Sequence, residues 1–196
     1  VEALKNYSFG NVNEANLKQE FDLEDISLDD QGKALLKIDS QWQSAQSPLQ
    51  IKLISSLYES GGRPVSRAYS TLVWPHEYLI GIQAEFGDKN PEANSRVNFD
   101  LVKASLSGAL ASATNIDIKL IQEDRQYFWV YDNNQGWHYE WTDKEFVEQS
   151  RTIELSDTQP TRLQLPVNYG SYRLEAHDPD SGQITSIRFY AGYDWY

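Results

Sequence analysis

Three histidines, His76, His138 and His177, are the side chains here whose ordinary pKa suits proton transfer or metal ligation near neutrality. None stands at a recognisable spacing from a serine or threonine that it could activate. His138 and Glu140 sit at i, i+2, on one face of any extended segment, and such a pair ligates zinc only with a third ligand from elsewhere. His177 is the one residue to suggest for it, and a solvated edge pair is the simpler expectation. Glu24-Asp25, Asp29-Asp30 and Asp143/Glu145 are carboxylate clusters. Glycoside hydrolysis needs two carboxylates facing each other across a cleft, which a sequence does not show, and solvated turn and edge charge is the expectation for these clusters. Asp178-x-Asp180-x-Gly182 lacks the further ligands of a calcium loop, and Asn6-Tyr7-Ser8 matches the N-glycosylation triplet. There is no Gly-x-Ser-x-Gly, Gly-x-Gly-x-x-Gly, Walker or His-Glu-x-x-His pattern. The expectation is no catalytic, cofactor-binding or metal-ligating residue, and no enzyme.

Aromatic side chains are the densest chemical signal. Residues 126–141 read Gln-Tyr-Phe-Trp-Val-Tyr-Asp-Asn-Asn-Gln-Gly-Trp-His-Tyr-Glu-Trp. A loop at Asp132–Gly136 sets Tyr131 opposite Trp137, Trp129 opposite Tyr139 and Tyr127 opposite Trp141. Three facing pairs on one face would cover on the order of 1,000 Å², more than a monomer leaves bare. The expectation is core, or packing between domains. A carbohydrate-stacking platform is the alternative, since aromatic faces beside carboxylates suit sugar rings. Phe128, Val130, His138 and Glu140 take the other face.

The elements that must position these residues alternate with period two. Before residue 87, Ala34/Leu36/Ile38, Leu49/Ile51/Leu53/Leu57 and Tyr78/Ile80/Ile82/Ala84/Phe86 each form such a series, punctuated by Asp29–Gly32 and Ser60–Gly62. After residue 95 come Val97/Phe99/Leu101, Ile116/Ile118/Leu120, Ile153/Leu155 and Leu163/Leu165/Val167. Thr142–Gln149 is the one short helical candidate. Residues 1–20 have no clean period and suit an entry strand and connection. Polar, Gly- and Pro-containing 87–95 reads as a boundary, giving domains at 1–90 and 91–196.

The last thirty residues close the pattern. Tyr172, Leu174 and Ala176 share a face opposite Arg173, Glu175 and His177, Asp178–Gly182 supplies a turn, and Ile187, Phe189 and Ala191 return inward. Leu165-Pro166…Gly170-x-Tyr172-x-Leu174 has the form of a sandwich corner whose tyrosine hydroxyl ties back to nearby backbone. The fold class is all-β: two tandem immunoglobulin- or fibronectin-III-like antiparallel sandwiches.

Charge and composition exclude several classes. Seventeen Lys and Arg stand against 29 Asp and Glu, a formal charge of −12, which disfavours phosphate backbones and anionic lipid. No cysteine means no disulfide, thiol catalysis or thiolate metal site. No apolar run spans a bilayer, no signal peptide is visible, and no methionine occurs even at position 1, so the chain is expected to derive from a longer protein.

The run Tyr169-Gly170-Ser171-Tyr172-Arg173-Leu174-Glu175, then Asp178–Gly182 and Ile187-Arg188-Phe189-Tyr190-Ala191-Gly192-Tyr193-Asp194-Trp195, resembles the end of a macroglobulin-like domain of the bacterial α2-macroglobulins. Tyr58-Glu59-Ser60-Gly61-Gly62-Arg63-Pro64-Val65-Ser66-Arg67, followed by Tyr78-Leu79-Ile80-Gly81-Ile82, resembles the domain that precedes it in the same family. The resemblance implies the fifth and sixth macroglobulin-like domains of a periplasmic protease trap, a lipoprotein anchored to the inner membrane. There a protease cuts a bait segment, the molecule rearranges, and a Cys-x-Glu-Gln thioester tethers the attacker. This chain would then be scaffold without the thioester, with no cofactor. Its partners would be neighbouring macroglobulin-like domains and, for the whole protein, target proteases, with no nucleic acid and no membrane insertion of its own. The bait is expected outside it, 87–95 being the only segment inside to consider. A carbohydrate-binding or adhesion module of fibronectin-like domains is the alternative.

Overall fold

The computed structural model describes residues 4–15, 18, 20–36, 45–58, 61–134 and 136–193. Ile38, Glu59, Ser60, Gln135, Asp194 and Trp195, which figured in the sequence reading, lie outside the described residues. Among the described residues there are eleven strands and no α-helix. They are β1 (Ser8–Phe9), β2 (Leu49–Leu57), β3 (Val65–Val73), β4 (Tyr78–Ala84), β5 (Ser95–Ser105), β6 (Leu110–Ala111), β7 (Ala113–Asp132), β8 (Gly136–Leu155), β9 (Thr161–Val167), β10 (Gly170–Asp178) and β11 (Gln183–Ala191). All pairings among them are antiparallel. The expected all-β class is what the chain adopts.

Strict alternation builds the central sandwich. In β9 every second residue (Leu163, Leu165 and Val167) is buried, and β5 alternates likewise through Val97, Phe99 and Leu101. One sheet runs β1–β4–β5, with β6 and β9 both pairing β5. The other runs β11–β10–β7–β8. Their inner faces meet in a core that joins Ile80, Phe99 and Leu101 to Ile118, Leu120 and Leu174. At its centre the Phe99 ring lies 5.7 Å from Phe86 and 5.5 Å from Phe189. Phe189 in turn stacks on Tyr172 at 5.6 Å. The Tyr172 hydroxyl accepts a hydrogen bond from the Asn168 amide at 3.0 Å, so the expected tyrosine corner is present.

The 87–95 segment is the loop of the β4–β5 hairpin rather than a connection between sheets. Tyr78–Ala84 reads as the same alternating strand whichever sheet it joins, so only pairing could place it with β5. The chain's start joins the same sandwich: Ser8 and Phe9 pair with Ile82 and Gly81, and the Phe9 ring occupies the space that a Cβ at Gly81 would need. Described residues of the first 75 otherwise form a two-stranded hairpin, β2–β3, without a second sheet over it. Thr142–Gln149, the helical candidate, is strand within β8. Its pairing with residues 120–126 of β7 overrides the local helix preference.

The turn between β10 and β11 carries a buried charge. Asp178 is 1% exposed and accepts a hydrogen bond from Lys103 Nζ at 2.8 Å. Burial pushes its carboxyl up, but Lys103, the Ser181 hydroxyl and the Asp180 amide together hold it below the ordinary aspartate value. The folded state therefore resists protonating Asp178 more than the unfolded chain does. Its contribution to stability is fully present above the ordinary aspartate pKa and is lost as pH falls through the lower folded value. Thermal melts from neutrality to below about pH 4 should show a loss of melting temperature that is smaller in Asp178→Asn. At neutral pH the same variant should be destabilised by about 1–3 kcal/mol, because the Lys103 ammonium loses its partner.

Candidate functional site

The most distinctive surface is made where two strands outrun their sheet. β7 and β8 pair from Ala113↔Leu155 to Asp132↔Gly136, whereas β10 accompanies β7 only as far as Ser171↔Glu123. Beyond that point the β7–β8 ribbon continues alone. A register shift between Leu120 and Ile121 lies just before that point, within the stretch still paired to β10, since Leu120 faces Gln149 and Ile121 faces Val147.

An ion network fixes the base of this arm. Arg173 on β10 is 3% exposed, and its guanidinium donates to Glu145 at 2.8 and 2.9 Å and to Glu123. Arg188 on β11 donates to the same Glu123 at 2.7 Å and also reaches Asn13. The hydrogen bond from Arg173 holds the Glu145 carboxyl below its ordinary value, against a smaller opposing effect of burial. One rung further out, Arg125 and Asp143 pair at 2.7 Å, and the Arg125 guanidinium lies 5.7 Å from the Trp141 ring centre.

The arm carries the aromatic ladder in the expected register: Tyr127↔Trp141, Trp129↔Tyr139 and Tyr131↔Trp137. The expectation that these rings form core is overturned. Each of the six is between 55% and 68% exposed, because the arm extends past the second sheet and nothing described lies over it. Trp129→Ala should therefore not carry the cost of a large-to-small core substitution in this chain. Trp129 and Tyr139 have ring centres 3.7 Å apart and tilted by 35°, and Tyr131 and Trp137 are 5.5 Å apart at 59°.

On the opposite face His138 and Glu140 contact each other at 3.2 Å, and the His138 Nδ1 also meets the Gly136 carbonyl at 3.1 Å. The Gly136 carbonyl raises the His138 pKa, with burial opposing and Glu140 and Asp132 adding to the rise. His177 is not brought to them: it lies on β10, 4.0 Å from Asp117. Among the described residues no group of three or more His, Cys, Asp or Glu is placed to hold a metal ion. The 87–95 loop is tied down through Lys89 to the Phe86 carbonyl, Ser95 to the Glu92 carbonyl and Gly192 to the Pro91 carbonyl, which makes it a poor candidate for an extended bait. No described helix is long and apolar enough to cross a membrane. Sequence reasoning missed the Arg173 network, for which the only signal was an arginine between the buried positions of β10.

Comparison with known proteins gives a consistent picture. The family described as Bacterial macroglobulin domain 6 matches residues 81–193, and the one described as Bacterial Alpha-2-macroglobulin MG5 domain matches residues 1–75. Alpha-2-macroglobulin of Escherichia coli K12 is 32% identical over 209 aligned residues, which cover 100% of this chain and 13% of that protein. The native conformation of the E. coli protein, solved by electron cryomicroscopy, matches with a TM-score of 0.79 at 32% identity, over 100% of this chain and 13% of its own. The E. coli protein activated by porcine elastase matches with a TM-score of 0.77 at 34% identity, over 100% of this chain and 18% of its own.

Proposed function

Because the chain belongs to the bacterial α2-macroglobulin family, with matches to two consecutive macroglobulin domains, we propose that it is a scaffold segment of a bait-and-trap protease inhibitor. The observation that carries this reading is the succession of the two domain matches along one chain. In the second of them the signals that stand out in the sequence serve packing: Tyr172 pins a corner and Phe99 fills the core. A relative has been solved after activation by porcine elastase, and a response to proteases is the activity proposed for the protein that carries this chain. The chain has no cysteine and so supplies no thioester of its own. In this reading the chain is not an enzyme. Its proposed partners are adjacent macroglobulin domains, and the proposal for the whole protein is a periplasmic lipoprotein of the inner membrane, as the resemblance noted in the sequence implies.

Two measurements test the reading. The 196-residue chain by itself should leave trypsin activity on a protein substrate unchanged. A chimera in which this chain replaces the matching part of E. coli alpha-2-macroglobulin should still capture elastase. Stoichiometric protection by the isolated chain, or a folded chimera that captures nothing, would overturn the scaffold assignment.

A further inference from the structure

The six rings of the β7–β8 arm, each 55–68% exposed, form an aromatic surface that no packing among the described residues explains. We propose that this ladder is the docking face for another β-sandwich domain of the same polypeptide, which covers it with an apolar sheet face. The inference rests on the scaffold reading above, in which this chain is part of a longer molecule.

Size is the first argument. At their observed exposures, the rings present on the order of 700 Å² of surface. That lies beyond the usual largest bare patch of a monomer and within the range of about 600–1,500 Å² that contacts between domains of one chain bury. A two-stranded ribbon is also marginal in water without a packing partner. This one is anchored at its base by Arg173 and Arg188.

Geometry and charge separate the occupants. Stacked sugar rings need coplanar aromatic faces. Here the Trp129 and Tyr139 rings tilt by 35° and the Tyr131 and Trp137 rings by 59°, so neither pair presents one flat plane, and the tilted rings suit an interdigitating protein contact. A second copy would bring another chain of formal charge −12 against this one, and that repulsion opposes association. A domain tethered in the same polypeptide escapes that diffusional barrier, since tethering supplies an effective concentration in the millimolar range for short linkers. The length available is large: the matched E. coli relative is covered for only 13% of its sequence.

Hydroxyl-radical oxidation read by peptide mass spectrometry tests the proposal at Trp129, Trp137 and Trp141. In the 196-residue chain alone, these rings should oxidise rapidly and independently of protein concentration. In the complete polypeptide that carries the chain they should oxidise severalfold more slowly. The double variant Trp129→Ser/Trp137→Ser should leave the melting temperature of the isolated chain unchanged, and restore rapid oxidation of Trp141 in the complete polypeptide. Equal oxidation in the two settings overturns the proposal. So does protection of the isolated chain that grows with its concentration, which would mean a second copy, or protection that appears only on adding a soluble β-linked glucan, which would mean a sugar platform. Elastase capture by the chimera is read separately. Capture with an unprotected ladder sinks the docking alone, and a protected ladder without capture sinks the scaffold reading alone.

Discussion

Replacing Phe99 by alanine should lower the unfolding free energy by about 3–5 kcal/mol, the range for removing a large aromatic side chain from a packed core. Phe99 is fully buried on β5, the strand that pairs β4 on one edge and β6 and β9 on the other. Its ring is held between Phe86 and Phe189, and Phe189 in turn rests on Tyr172. Truncation therefore empties the contact point of both sheets, where rigid paired strands limit how far the walls can collapse. Urea unfolding should show a lower midpoint with an unchanged slope. A loss below about 1 kcal/mol would mean that the two sheets do not share this core.

Replacing Arg173 by methionine should cost about 1–3 kcal/mol, the range for losing charged hydrogen bonds, because only the guanidinium end of the network is buried and Glu145 stays half exposed to water. The guanidinium is what keeps Glu123 and Glu145 together at the root of the arm, with Arg188 alone left to neutralise them. The pH dependence should change sign. With Arg173 present, Glu145 is held below its ordinary value, so acid removes stability as the carboxyl is protonated. Without it, neighbouring carboxylates repel, and protonation relieves the repulsion. Melts of the variant at neutrality and near the ordinary glutamate pKa, about pH 4, should show the smaller deficit at the acid end. Adding Glu123→Gln and Glu145→Gln to Arg173→Met should recover part of the loss at neutral pH. If acid widens the deficit instead, the network is not what secures the arm.

How much was legible depended on whether a residue's neighbours lay nearby in sequence. The register of the ladder, the Tyr172 corner and the Asp178–Gly182 turn were all readable, because each is fixed by partners a few residues away or across one tight loop. The place of Tyr78–Ala84 was not, since alternation marks a strand but does not say which edge it joins. Thr142–Gln149 misled for the converse reason: its local preference is helical and its partner strand decides otherwise.

The sequence by itself determined the all-β class, the family and the facing of most side chains, because a two-residue period assigns each residue to one side of a sheet whatever the sheet does next. Only the tertiary structure decided which of those sides is covered. Arg173 occupies an outward position of β10 and is buried all the same, because the root of the arm folds Glu123 and Glu145 over it. Trp129 and its five companions occupy one apolar face and stand exposed, because β7 and β8 run on past Ser171↔Glu123, where the rest of their sheet ends, and nothing described lies over them. Periodicity tells a side chain which way to point, and burial requires something to be there, a matter of strand length and sheet order that no local pattern records.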